Sequence, residues 1–491
     1  VIATARRALA VSRKRTGGEG AIATLLGSEA TQTTAHATTT NKPEAFQFTA
    51  SATGVIEEIV LETNGTANTG VTEVLLGVQG QETPTAAKPV AAMTFARAFL
   101  GAPGTNVKLT AAGLRCPVIA GGVYHLVVLS LGAPLHFNIA GGTGSNVRIG
   151  SGTMWSNSWG AAKAEGPAKM YARGKTPGTS KALIFGVQNS QNHSSFWVPK
   201  HCYVQRGLFT ETNLAEAGEE SPAELSAEIG TTLAAGFHYP IVLLDAQKLL
   251  SEVNATTFAE KAAAMIKRIR EDHPSVTLFE IINEPQGKGP HGSNAGDYAN
   301  IVKAVIEKCK AEGITGAEFL ITASGDYQKK NSLGENIPTF STLPNEEGWV
   351  HDMFAAQPSL KAGGANEIKA WVTHNYGRAA EITHETQGGF AAGIAIRESV
   401  IFNGGGGYNN WFMTEMGFAN TGTASGRNVA SETEQNTCTK EYVELAMLAA
   451  EAGWLTLLNI YADGEGEAQW QVYGKTAGTT FGAFALERGK S

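Results

Sequence analysis

Apolar and polar residues alternate with period two along Val55–Thr63 (VIEEIVLET), and this texture recurs through the first third of the chain. It predicts strands at Ala45–Ser51, Gly54–Thr63, Thr72–Gly77, Val107–Leu109, Gly122–Leu131 and Leu135–Ile139, broken by Gly, Asn and Thr clusters rather than by helices. Short strands between frequent turns fold as an antiparallel β-sandwich. The texture changes at RGKTPGTS, residues 173–180, whose composition reads as a linker.

Beyond it, apolar runs alternate with amphipathic helical stretches. The runs are Ala182–Val187, Tyr203–Phe209, Tyr239–Ala246, Val276–Pro285, Glu318–Ser324, Ile368–Gly377, Asn410–Phe418 and Trp454–Asp463. Near-continuous apolar runs suit parallel strands buried on both faces. The helical stretches carry their own punctuation, with Ser221 as an N-cap, Pro222 in the first turn, and Gly236, Gly313 and Gly453 as stops. Eight such units predict an α/β chain whose second part is a (β/α)8 TIM barrel. The first unit is the thinnest, because Asn189–His201 leaves little room for a full helix. The expected organisation is an N-terminal extension over residues 1–21, a β-sandwich over 22–172, the linker over 173–180 and the barrel over 181–491.

Composition narrows the function classes. Of 491 residues, 42% are hydrophobic and 17% charged, enough to build large cores. A net charge of -7 without a basic block argues against a nucleic-acid partner, and no apolar run is long enough to cross a bilayer, so no membrane partner is expected. The 58 glycines suit a loop-rich secreted protein, and residues 1–20 are basic without the apolar core of a signal peptide. Cys116, Cys202, Cys309 and Cys438 form no CxxC pair and have no histidine at zinc-ligand spacing, which points to buried thiols or at most a disulfide or two. The GKT triplets at 174–176 and 474–476 lack the earlier glycine of a phosphate loop, and HExxH and GxSxG are absent from the sequence. No metal and no cofactor is expected, and a monomer is favoured.

In a TIM barrel the chemistry stands at the C-terminal ends of the strands. Those ends offer Gln188–Asn189, Arg206, Asp245, Asn283–Glu284, Ser324, His374–Tyr376, Glu415 and Tyr461. Glutamates on strands four and seven can stand on opposite sides of a bound sugar. Retaining glycoside hydrolysis needs such a pair about 5–5.5 Å apart, one protonated to assist the leaving oxygen and one ionised to attack.

Three of these segments carry a resemblance. IINEP at Ile281–Pro285 resembles the Asn-Glu-Pro signature of clan A glycoside hydrolases, TEMG at Thr414–Gly417 resembles their strand-seven nucleophile motif, and THNY at Thr373–Tyr376 resembles their strand-six His-x-Tyr motif. The resemblance covers residues 181–491 and is strongest to family 5, the cellulase/mannanase-like enzymes. It implies Glu284 as acid and base, Glu415 as covalent nucleophile, and Asn283 as a donor to the sugar 2-hydroxyl. Arg206 and Tyr376 would hydrogen-bond Glu415, and His374 would contact the sugar or Glu284. The implied partner is a carbohydrate with β-glycosidic bonds, a polysaccharide or oligosaccharide, with endo action favoured over exo.

The chain also departs from that pattern. Where family 5 enzymes often carry Leu-Asp-x-His after strand three, it has Leu244, Asp245, Ala246 and Gln247, so the sugar contact is absent or passes to Gln247 or to His193, beside Asn189 in the first loop. Strand eight offers Tyr461 and the later Trp470 in place of a strand-end tryptophan. A family 39-like enzyme of the same clan is the alternative. Trp349, Trp411 and Trp470 are candidate sugar platforms, Trp371 and Trp454 are expected in the core, and Trp155 and Trp159 are the front domain's best candidates for sugar binding, with packing against the barrel or the domain's own core the favoured alternative. Rival readings are a transglycosylase and a non-catalytic carbohydrate-binding protein.

Overall fold

The computed structural model describes residues 21–79, 92–98, 103, 105–140, 147–150, 163, 165–166, 168–178, 183–188, 191–206, 221–246, 249–285, 295–322, 349–361, 368–376, 389–400, 410–422, 428–461 and 470–489. Eight parallel strands close into a barrel in chain order. They are Ile184–Val187, Cys202–Arg206, Tyr239–Leu244, Leu278–Ile281, Glu318–Thr322, Ile368–Asn375, Trp411–Met416 and Leu455–Ile460, the last pairing back with the first. Each falls within or overlaps one of the eight apolar runs, so the barrel expected from the sequence is present.

The strands are apolar on both faces because each face has its own core. Inward residues Ile184, Val204, Ile241, Leu278, Leu320, Ala370, Val372, Phe412 and Leu457 form a plug to which every strand contributes. Outward residues such as Val242, Phe279, Phe319 and Trp371 pack against the surrounding helices. Those helices include Pro222–Ala234, Ala255–Asp272, Ala295–Ala311, Glu432–Glu451 and Thr476–Arg488. The first begins in a capping box, where Glu224 N–H donates to Ser221 Oγ and Ser221 N–H donates to Glu224 at 2.8 Å. The first βα connection is three short turns over Gln191–Lys200 rather than a full helix, as its length implied.

Ahead of the barrel lie a two-stranded antiparallel sheet, which pairs Thr34–Ala37 with His136–Ile139, and two larger antiparallel ones. One orders strands Ile22–Gly27, Met170–Lys175, Gly54–Glu62 and Lys108–Val118; the other orders Val147–Ile149, Pro43–Thr49, Val123–Leu131, Glu73–Gln79 and Ala92–Ala98. Residues of both sheets, among them Ile56, Ile59, Phe46 and Leu126, share one apolar core. Strand Met170–Lys175 pairs on both sides, so the first three residues of the expected linker, 173–175, belong to this sheet. Tyr124 is fully buried and its hydroxyl accepts from Ile119 N–H at 2.8 Å, which places it in the core as expected. All four cysteines are buried free thiols. Among the described residues, no helix is long and apolar enough to cross a membrane.

Candidate active site

Above the apolar plug the barrel interior turns polar. Two residues beyond Val204, Leu278, Val372 and Leu457, on the same inward faces, stand Arg206, Glu280, His374 and Asn459, all buried. A buried charge survives only when paired. Arg206, 1% exposed, is the hub: its Nε and Nη2 donate to Glu280 Oε2 and Oε1 at 2.7 and 2.8 Å, a two-pronged grip on a carboxylate that is fully buried. Its Nη1 donates to Glu415 Oε1, and Nη2 donates to Asn283 Oδ1 at 2.9 Å. Burial works against the Arg206 charge, but Glu280 and Glu415 outweigh it and raise the pKa further, so the guanidinium is permanently charged.

The turn after the fourth strand is held in strain. Ile282 and Glu284 adopt φ of 59° and 43°, a region that a β-branched residue rarely enters. Each such residue costs on the order of 1–3 kcal/mol and persists only when its surroundings fix it. Here Ile282 N–H donates to Leu244 O at 2.8 Å, Asn283 N–H donates to Asp245 Oδ1 at 2.9 Å, and the buried Tyr298 hydroxyl donates to Ile281 O at 3.0 Å. The result aims Glu284, about a third exposed, into the mouth, where its Oε1 lies 2.9 Å from His374 Nδ1.

Glu415 arrives by a different device. Phe412 points into the plug and Met413 out to the helices, so strict alternation would send Glu415 outward and Met416 inward; yet Met416 packs with the outer core. Strand seven carries one extra residue against both neighbours. Thr373 and His374 oppose Met413 and Glu415, while Leu458 and Ile460 oppose Met413 and Met416. That bulge turns Glu415 inward. Both its oxygens are taken, Oε1 by Arg206 and Oε2 by the Tyr376 hydroxyl. Tyr376 is buried and beside Glu415, which together raise its pKa well above 10, so it stays a donor.

One oxygen each of Glu284 and Glu415 and one nitrogen of His374 lie within 4.8 Å of one another. Donors of the protein already reach both Glu415 oxygens, Arg206 at one and Tyr376 at the other. Three carboxyls, Glu280, Glu284 and Glu415, face one guanidinium and one imidazole. Burial opposes a charge on His374, but Glu415 and Glu284 outweigh it, against some opposition from Arg206, and lift its pKa above the ordinary 6.5. Those two carboxylates thus favour the protonated imidazole.

No family model matches the chain, and no curated protein matches it. Among solved structures it is similar to a family 39 glycoside hydrolase from Bacteroides cellulosilyticus WH2, at 12% identity and a TM-score of 0.39 over 88% of this chain and 80% of that one. It is also similar to the endo-beta-1,4-glucanase Xac0029 from Xanthomonas axonopodis pv. citri, with 16% identity, TM-score 0.39 and coverage of 63% and 97%. The Podospora anserina GH26-CBM35 beta-(1,4)-mannanase gives 10% identity and a TM-score of 0.41 over 95% and 96%. At these values the likeness carries no argument about chemistry, which rests on the side chains.

The structure brings Glu284, Glu415, Asn283, Arg206, His374, Tyr376 and Asp245 into one hydrogen-bonded cluster. Tyr461 and Trp470 join its edge, with Trp470 edge-on to Tyr376 at 5.2 Å and to Tyr461 at 5.7 Å. His193, in the first βα connection, stacks flat on Tyr473, which follows strand eight, at 3.6 Å. Gln247, Asn189, Trp155 and Trp159 lie outside the described residues.

Two expected sugar platforms are corrected. Trp411, 1% exposed, opens strand seven at the end away from Glu415, where it packs on Phe390 and donates to Thr373 Oγ1 at 2.6 Å. Trp349, 2% exposed, is held between helices against Tyr298. Both are core. Trp371 is buried as expected, and Trp454 is partly buried beneath Arg397. Sequence reasoning missed Glu280. Its signal was a carboxylate in the middle of a run expected to be buried on both faces, which demands a cationic partner.

Proposed function

We propose that the protein is a retaining glycoside hydrolase that cleaves β-glycosidic bonds by double displacement. The observation that carries this reading is the pairing of Glu284 and Glu415, whose facing oxygens lie within 4.8 Å. That is close to the separation of about 5–5.5 Å used for direct attack and short of the roughly 6.5–9.5 Å that leaves room for a water.

With a sugar seated between them, Glu284 gives its proton to the glycosidic oxygen as Glu415 attacks the anomeric carbon and the leaving alcohol departs. Glu284, now ionised, takes a proton from water; the water attacks the same carbon and Glu415 is released. Arg206 and Tyr376 hold both oxygens of Glu415 and so aim it. Arg206 also fixes the Asn283 amide by its oxygen at 2.9 Å, leaving the NH2 to donate to the sugar 2-hydroxyl. Trp470 and Tyr461 offer an aromatic edge for the ring. The proposed substrate is a β-linked polysaccharide or its oligosaccharides, cut internally, by a secreted protein in which residues 22–172 act as an accessory domain.

Azide tests the assignment of roles. With an activated aryl β-glycoside, Glu415→Ala plus azide should yield the α-glycosyl azide, and Glu284→Ala plus azide the β-glycosyl azide. Rescue of neither variant, or the opposite pairing of anomers, would contradict the reading.

A further inference from the structure

The bulge that turns Glu415 inward has a cost. Thr414 is the unpaired residue against strand six, and against strand eight Thr414 and Glu415 together face one position, so the Thr414 carbonyl sits where the regular ladder is broken. The carbonyl nonetheless has a partner: Asn459, fully buried on the inward face of strand eight, donates to Thr414 O through Nδ2 at 3.0 Å. Asn459 occupies the position between Leu458 and Ile460 that stands opposite the bulge. Space for it is provided from the other side. A Cβ on Gly186 of strand one would lie 2.5 Å from Asn459 Oδ1 and 2.3 Å from Val204 Cβ, so only glycine there lets the amide keep its place.

We propose that Asn459 is a positioning residue for Glu415. Its amide satisfies a backbone carbonyl at the bulge, and so fixes the backbone from which the carboxylate reaches Arg206 and Tyr376. An Asn in an otherwise apolar run, LTLLNI, is thereby explained: a hydrocarbon side chain of the same shape would fill the space and leave the carbonyl unsatisfied. The proposal rests on the reading of Glu415 as nucleophile. Asn459 touches no substrate; it acts through the backbone one residue before the reacting carboxylate.

Asn459→Leu keeps the branched shape and loses the donor, while Asn459→Ala loses both. The first measurement is covalent capture by a 2,4-dinitrophenyl 2-deoxy-2-fluoro-β-glycoside of the sugar that the wild-type protein hydrolyses. Glu415 forms the ester to the anomeric carbon and dinitrophenolate leaves with the bonding pair, so its release reads the attack step alone. Asn459→Leu should lower the capture rate at least tenfold, with kcat falling in step, while Tm stays within a few degrees and the Kd for the product sugar within twofold. Capture at the wild-type rate by Asn459→Leu, with loss only in Asn459→Ala, would mean that Asn459 fills space and nothing more. Absence of label on Glu415 in the wild type would instead overturn the nucleophile reading, and the proposal with it. A crystal structure of Asn459→Leu is the second measurement and needs no substrate. The expected result is Glu415 withdrawn from Arg206 or Tyr376; an unchanged bulge with both contacts kept overturns the proposal.

Discussion

Arg206 grips Glu280 with two nitrogens, at 2.7 and 2.8 Å, and turns its third nitrogen to Glu415. Glu280 reaches no surface, so the pair works as a fixed strut inside the barrel, presenting one charged N–H to the carboxylate proposed to attack.

Removing that strut should separate stability from chemistry. Glu280→Ala leaves most of a buried guanidinium uncompensated and should cost roughly 3–5 kcal/mol, read from urea unfolding. Glu280→Gln keeps an acceptor and removes a neighbouring negative charge. Arg206 would then be held less firmly behind Glu415, so kcat/KM on an aryl glycoside should fall about tenfold while the fold survives. An unchanged kcat/KM would mean that Glu280 does not act on Glu415 through Arg206.

His374 gives a pH-dependent stability. Its pKa is raised in the folded state from 6.5, so its protonated form is stabilised by folding. The contribution is full below about 6.5 and fades as pH rises through the higher folded-state value. The stability difference between wild type and His374→Gln should therefore be larger at pH 6 than at pH 9, by urea midpoints at each pH. A difference that grows with pH would reverse the sign and refute the charged state.

Tyr376→Phe removes one hydrogen bond to a charged group, worth about 1.5–3 kcal/mol. If the bond is strongest when Glu415 is poised to attack, kcat should fall roughly 10- to 150-fold with KM nearly unchanged. Steady-state kinetics on an aryl glycoside would separate this from a loss of binding, which would raise KM at constant kcat.

The two tryptophans of strand seven and the eighth loop should behave oppositely. Trp411→Ala empties a core site and should lower stability by roughly 3–5 kcal/mol while leaving the KM of folded enzyme alone. Trp470→Ala, beside Tyr376 and Tyr461, should raise KM. Equal effects on KM would remove Trp470 from the substrate wall.

The barrel was legible because a strand buried on both faces must be apolar throughout, and because Ser221, Gly236, Gly313 and Gly453 mark helix ends by local rules. Glu284, Glu415, Arg206, His374 and Tyr376 were legible because strand ends in this fold carry the polar groups. Trp411 was misjudged although it opens its run rather than closing it. Aromatic size cannot by itself separate a stacking platform from a core residue. Glu280 was passed over because periodicity weighs a lone charge in an apolar run as noise, whereas burial makes it the costliest residue there. The bulge at Thr414 could not be read at all, since register against two neighbouring strands is a property of three segments distant in sequence. It is also what makes Glu415 face inward, so the motif around it located the residue without explaining its aim.

The stereochemistry of the first product bears on the central claim most directly. Proton NMR of the anomeric region, taken within the first minutes of cleavage of a β-linked oligosaccharide and before mutarotation, should show the β-anomer appearing first. First appearance of the α-anomer would contradict direct attack by Glu415 and the two-step mechanism built on it.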